Sequence, residues 1–239
     1  MLSLKELPSS YGTLITMQKN MNDLISVIIP CRNGENYLAE AVASVRTQDI
    51  SSEIIVVDDG STDGTAKLAE GLSCFVVSQP SLGPSAARNA ALKVAKGDFV
   101  LFLDHDDLLC EGALASLLEA FDAQTDVVSA NLQDFISPEL SEPQRSALVP
   151  RMEPYGGLLT GAYLFRRNAV ERVGGFDENL KGGGEVVDFL LRCGDKSLNM
   201  KKLDCISCRR RLHSTNTGRI KRENQRKDYT NILRMKLRR

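Results

Sequence analysis

Three runs of apolar β-formers, each breaking off in the same way, constrain the fold of this chain more than any other feature. Ile25-Ser26-Val27-Ile28-Ile29 stops at Pro30 and is followed by Arg32, Asn33, Gly34 and Glu35. Ile54-Ile55-Val56-Val57 runs into Asp58-Asp59-Gly60-Ser61, and Val100-Leu101-Phe102-Leu103 ends in Asp104-His105-Asp106-Asp107. Each run suits a buried strand, each polar exit suits a turn, and a helical pattern follows each. Strands and helices alternating in this order build a parallel sheet with crossover helices, whose strand ends line one ligand-binding edge. Carboxylates at the end of the third run serve no core; a divalent cation and the phosphates it carries would use them. The same cluster also reads as a solvated turn or a helix N-cap, because Asp107 precedes the helical stretch Glu111 to Phe121.

Further along, the pattern predicts helices over Glu35 to Thr47, Asp63 to Glu70 and Ser85 to Ala95, and strands over Glu53 to Val57, Cys74 to Val77 and Phe99 to Leu103. After a strand at Val127 to Ala130 the rhythm fails. Residues 132 to 157 hold Pro138, Pro143, Pro150, Pro154 and the pair Gly156-Gly157, which reads as a long irregular segment. A strand at Leu158 to Phe165, helices at Arg167 to Val173 and Glu185 to Arg192, and a strand at Lys202 to Cys208 complete the expectation. The fold class is therefore α/β: one domain, residues 23–216, with a Rossmann-like, mostly parallel, doubly wound sheet flanked by helices. An N-terminal extension (1–22) precedes it, and a basic, partly helical tail (217–239) follows. The first half reads as the nucleotide-binding half and the second as the one that carries an acceptor.

Length and composition agree with one large domain of 239 residues and 26.2 kDa. No apolar stretch approaches the roughly 20 residues of a membrane span, and Met1 to Asn22 lacks a signal-peptide core, so a cytoplasmic protein is expected. Six scattered cysteines fit reduced thiols, and the lone Cys205-x-x-Cys208 pair is weak grounds for zinc. Charge is unevenly spread. From Arg209 to Arg239 there are 12 Lys or Arg against 2 Asp or Glu, a net of +10, which leaves −11 on the other 208 residues. Such a tail reads as a solvated face or as peripheral contact with the inner face of an anionic membrane; with Tyr229 its single aromatic, nucleic acid is not an expected partner. Neither G-x-G-x-x-G after the first strand nor G-x-x-x-x-G-K-[ST] occurs, which argues against a dinucleotide enzyme and a P-loop NTPase.

Ser26 to Pro30, Val56 to Thr65, Gly83 to Asn89, Phe102 to Asp107 and Val173 to Asp177, in this order, resemble family 2 glycosyltransferases of the GT-A fold, over about residues 24 to 216. The resemblance implies transfer of a sugar from a nucleoside-diphosphate donor, often UDP-linked, to a glycan or lipid-linked acceptor, with inversion of the anomeric carbon and help from Mg2+ or Mn2+. It places Pro30 and Asp59 at the nucleoside, with Asp59 receiving the base N–H, and Arg88 near the base and diphosphate. Arg32, Asn33, Glu35 and His105 join this nucleotide-sugar site. Asp106 would hold the metal, Asp104 would reach the ribose or sugar, and Asp107 would support them. Arg211 to Asn216 resembles a late segment in which the histidine, here His213, approaches the phosphates or metal; a packed His213 is the alternative.

Two positions depart from the family pattern. An aromatic is common where Arg32 stands, and an Arg could stack on the base instead. The family's Glu-Asp pair, whose Asp is the general base, is here Glu185-Val186, with Asp188 one helical turn further on. Glu185 is the candidate to take over as base, and Asp188 is the second catalytic candidate. Three functions compete: a metal-dependent glycosyltransferase, a nucleotide-sugar binder in which Val186 has ended catalysis, and a generic nucleotide or nucleic-acid binder for which the motifs are coincidence.

Overall fold

In the computed structural model, which describes residues 23–180, 183–214, 216, 227–232 and 234, the run at Ile25 becomes β1 (Ile25–Cys31), with all seven residues buried. It lies between β2 (Ser52–Asp59) and β4 (Phe99–Phe102), parallel to both, and β3 (Phe75–Gln79) pairs in parallel on the outside of β2. The register sets Cys31 beside Asp58 and Ile28 beside Phe102, so the three polar exits open on one edge. Between these strands run α1 (Leu38–Arg46), α2 (Thr65–Gly71) and α3 (Pro84–Leu92). After β4 come the two-residue β5 (Leu108–Leu109) and α4 (Ala113–Glu119).

Because strand side chains alternate, the sheet feeds two cores. Val27, Ile29, Leu101 and Leu103 pack with Leu38, Val42, Leu114 and Leu117. Ile28, Val57, Val100 and Phe102 pack with Ala87, Ala91, Phe165 and Phe189 in the other. Each fully buried large side chain contributes about 1.5–3 kcal/mol by transfer from water. Three helices start later than their periodicity suggests: α1 follows Asn33 at φ 53° and a turn at 35–37, α2 begins two residues late at Thr65, and α4 follows Gly112 at φ 68°.

The second half differs from the doubly wound expectation. Its elements are β6 (Val127–Ile136), α5 (Glu142–Ser146), a 3-10 turn at Thr160–Ala162, β7 (Tyr163–Arg166), α6 (Arg167–Val173), α7 (Glu185–Asp195) and β8 (Met200–Leu212). The described strands form one sheet of order β3-β2-β1-β4-β7-β6-β8-β5. β7 is antiparallel to both neighbours, and β6 pairs in parallel with β8 across a register shift around Asn131. The sheet is thus mostly parallel but mixed.

The segment 132–157 is not irregular throughout, as its prolines suggested. β6 runs on to Ile136 because its interrupting polar residues find partners. Asn131 Nδ2 donates to the Asp204 carbonyl at 3.0 Å, and buried Asp134 accepts from the Tyr155 hydroxyl at 2.5 Å and the Arg151 N–H at 3.0 Å. The strand expected from Leu158 shrinks to Tyr163–Arg166 behind the 3-10 turn, whereas β8 outgrows Lys202 to Cys208 and carries Arg211 into the interior. The extension 1–22 and tail residues 217–226 lie outside the described residues. A helical stretch at 227–232 rests on the start of α7: the Gly184 N–H donates to Asp228 Oδ2 at 3.4 Å, and Ile232 is buried.

Candidate active site

The first two exits are tied together by their own polar groups. The Asn33 N–H donates to Ser61 Oγ at 2.9 Å, while Asn33 Oδ1 accepts from the Thr62 N–H at 2.8 Å. Glu35 Oε2 accepts from the Gly64 N–H at 3.0 Å, and the Gly34 N–H donates to Thr65 Oγ1 at 2.9 Å. Gly34 has no room for a side chain: a Cβ there would stand 2.3 Å from Cys31 Sγ and 2.5 Å from His105 Cδ2. Arg32, Asn33 and Glu35 are exposed on the rim, and Pro30 is buried at its floor. Asp59, expected at the base, already accepts three bonds from the chain, from Gln79 Nε2 at 2.7 Å, Leu82 N at 2.8 Å and Gly83 N at 2.9 Å. A carboxylate has about four acceptor positions, so one remains for a ligand N–H.

At the end of β4, one ligand atom from each of Asp104, Asp106 and Asp107 lies within 4.8 Å of the others. Burial, together with the charges of Asp106 and Asp104, pushes the Asp107 carboxyl well above the ordinary carboxylate range. Asp106 goes the other way: burial opposes its charge, but the His213 hydrogen bond and the nearby charges of His105 and His213 hold its carboxyl below the ordinary value. His213 Nε2 lies 2.8 Å from Asp106 Oδ2, so β8 does deliver the late histidine to the acidic loop. An all-oxygen cluster with crowded negative charge fits a hard divalent cation such as Mg2+ or Mn2+, and His213 lies beside it.

Arg88 links the two halves of the molecule. Only 2% exposed, it reaches Asp104 Oδ1 with Nη2 at 2.9 Å and Glu185 Oε1 with Nη1 at 3.1 Å, over the face of Phe176 at 5.2 Å. The glycine pair before Phe176 explains itself here. Gly175 sits at φ 69°, where a Cβ would be 2.7 Å from Asn89 Oδ1, and Asn89 grips both the N–H and the carbonyl of Phe176. Glu185 Oε2 is buried with no hydrogen-bond partner among the described residues. Val186 is buried and offers no proton acceptor. Asp188 is not brought to this cluster: it accepts from Arg192 Nε at 2.7 Å, and Arg192 in turn bonds the Val173 carbonyl at 2.9 Å, an arrangement that braces α7 against α6.

Two partners of the acidic loop stand at the ends of the late segment Arg211 to Asn216, in which only His213 was given a role. Arg211 and Asn216 flank His213, and only the register of β8 shows that both reach Asp106: the Arg211 Nε donates to its carbonyl at 2.9 Å, and Asn216 Nδ2 to its Oδ2 at 3.3 Å.

A family model described as glycosyl transferase family 2 matches residues 26–176. An uncharacterized glycosyltransferase of Bacillus subtilis, EpsJ, is 31% identical over 184 residues, covering 67% of this chain and 53% of its own length. Among solved structures, residues 1–349 of Staphylococcus aureus TarS in complex with UDP superpose with a TM-score of 0.64 at 27% identity, over 79% of this chain and 60% of that one. A mannosyltransferase of Pyrobaculum calidifontis, in complex with GDP-Man and Mn2+, gives a TM-score of 0.69 at 19% identity over 90% of this chain and 64% of that one, a likeness of fold. The chain thus spans about half to two thirds of the length of these relatives.

Proposed function

The chain belongs to glycosyl transferase family 2, and from that premise we propose that it transfers a sugar from a nucleoside-diphosphate donor, UDP-linked by preference, to a hydroxyl of a glycan or lipid-linked acceptor. The observation that carries the reading is the Asp104-Asp106-Asp107 cluster at the carboxyl end of β4, with Arg88 and His213 bonded to it from the two sides. The superposition on a UDP-bound relative supports the uridine preference. A divalent cation held by Asp106 would balance the charge that collects on the departing diphosphate.

The remaining roles belong to the chain itself. Pro30, Arg32, Asn33, Glu35 and the open acceptor position of Asp59 border the nucleoside, and Arg88 adds a fixed positive charge beside Asp104. With Glu185 Oε1 held by Arg88, Oε2 is the oxygen left to take a proton. In the inverting reaction the acceptor oxygen attacks the anomeric carbon, its proton passes to Glu185 Oε2, and the bond to the diphosphate oxygen breaks on the opposite face. Asp188, committed to Arg192, acts on the fold of α7.

The test is a panel of nucleotide sugars and acceptors with Mn2+ or Mg2+ supplied and withheld. Glu185→Gln should slow transfer roughly 10² to 10⁴-fold, and Val186→Asp should accelerate it, with donor affinity little changed in either variant. Unchanged turnover in both would remove Glu185 from the base role. A wild type inert across the panel and rescued by Val186→Asp would establish the lapsed binder instead.

A further inference from the structure

Arg211 is among the largest fully buried side chains of the described residues, at 1% exposure, yet it sits on a strand that ends beside the half-buried acidic loop. Burying a guanidinium is costly unless every donor is used and the charge is matched. Here the guanidinium makes three hydrogen bonds, and the residue's main chain adds a fourth. The Arg211 Nε donates to the Asp106 carbonyl at 2.9 Å, Nη1 to Ser137 Oγ at 3.3 Å, and Nη2 to Glu40 Oε2 at 2.8 Å; its backbone N–H donates to Asp107 Oδ1 at 2.9 Å. The guanidinium also lies between two rings, 5.0 Å from the centre of Tyr37 and 4.7 Å from that of Phe135.

The same residues reach the Asp106 side chain by a second route. The Tyr37 ring packs against His213 at 4.7 Å, and His213 Nε2 meets Asp106 Oδ2. Asn216 joins the two routes, donating to the Arg211 carbonyl at 3.0 Å and to Asp106 Oδ2 at 3.3 Å while its own Oδ1 accepts from the His213 N–H at 2.7 Å.

We propose that Arg211 is the positioning residue of the acidic loop: a strut in an aromatic slot that fixes the peptide carrying Asp106, and so sets the aim of the Asp106 carboxylate toward the cation. This rests on the reading of Asp106 as the metal-holding residue. The positive charge is spent on Glu40 and the ring faces, so the contribution to the loop is geometric, and a lysine cannot replace it. Lysine keeps the charge but lacks the planar fork that bonds Asp106, Ser137 and Glu40 at once.

The experiment titrates Mn2+ into folded protein at fixed UDP, followed by calorimetry and by the electron paramagnetic resonance of the bound ion. Loss of a group that orients a metal ligand typically weakens the site roughly 10- to 100-fold, so Arg211→Lys should raise the Mn2+ half-saturation by about that factor. Ser137→Ala and Glu40→Ala each remove one anchor and leave Arg211 in place, so they should shift it in the same direction by a smaller factor; they carry the test if Arg211→Lys does not fold. Leu118→Ala, a cavity in α4 remote from the loop, serves as the stability control and should lower the melting temperature without moving the half-saturation. Folded Arg211, Ser137 and Glu40 variants with wild-type Mn2+ half-saturation would overturn the strut while leaving the metal reading intact. A wild type whose UDP binding ignores Mn2+ would overturn both.

Discussion

Asp106 is gripped through its carbonyl by Arg211 and through its carboxylate by His213 and Asn216. Asp106→Asn keeps its shape and removes its charge, so the melting temperature should stay near that of the wild type while Mn2+-dependent affinity for UDP falls at least about tenfold, as read by calorimetry. Cys31 tests the electrostatics of the same edge. Burial first, then the charges of Asp58 and Asp63, push its thiol up to about 12. A thiol raised in the folded state stays protonated while the unfolded chain ionises near ~8.5, so its contribution is complete below that value and is lost as pH climbs toward 12. Cys31 should therefore stay unlabelled by iodoacetamide when the pH is raised from 7 to 9, with mass spectrometry as the readout. The Asp104-His105-Asp106 string was legible because it follows an apolar run directly; Arg211 lay in a legible segment, but its burial was not legible, because nothing local distinguishes a buried arginine from its neighbours Arg209 and Arg210.

The link between α6 and α7 shows how an element is placed by single backbone angles. Gly174 ends α6 at φ 89° with open space where a Cβ would go, whereas Gly175 combines φ 69° with the Asn89 amide at 2.7 Å. Gly174→Ala should cost about 1–2 kcal/mol from the left-handed angle alone. Gly175→Ala should cost more, because Asn89 is tied to Phe176 on both sides and cannot yield; urea unfolding of the two variants side by side gives the comparison. Loss of that grip frees Phe176 beneath Arg88, so the Gly175 variant should also weaken donor binding, and the Gly174 variant should not. The helices and strands of the first half were readable from periodicity. β6 was readable only as far as Ala130, since Asn131 and Asp134 break its apolar pattern and find their partners in Asp204, Arg151 and Tyr155, residues distant in sequence.

At the scale of the whole chain, charge is divided between a +10 stretch from Arg209 onward and a −11 remainder, and no described helix is long and apolar enough to cross a membrane. If the tail binds anionic lipid, deleting 217–239 should reduce co-sedimentation with anionic vesicles, and high salt should reduce it for the intact chain by screening. Equal sedimentation with and without the tail would end that idea. The sequence by itself determined the parallel half of the sheet, its ligand-binding edge and the acidic loop on it, because strand ends, turns and the carboxylates that follow them are neighbours along the chain. Only the tertiary structure decided that β7 enters antiparallel, that Arg88 joins Asp104 to Glu185, that Asp188 turns away to Arg192, and that Arg211 locks the loop from behind. Those pairings span up to about a hundred residues of sequence, and local preferences carry no information about which distant partner will satisfy a buried charge.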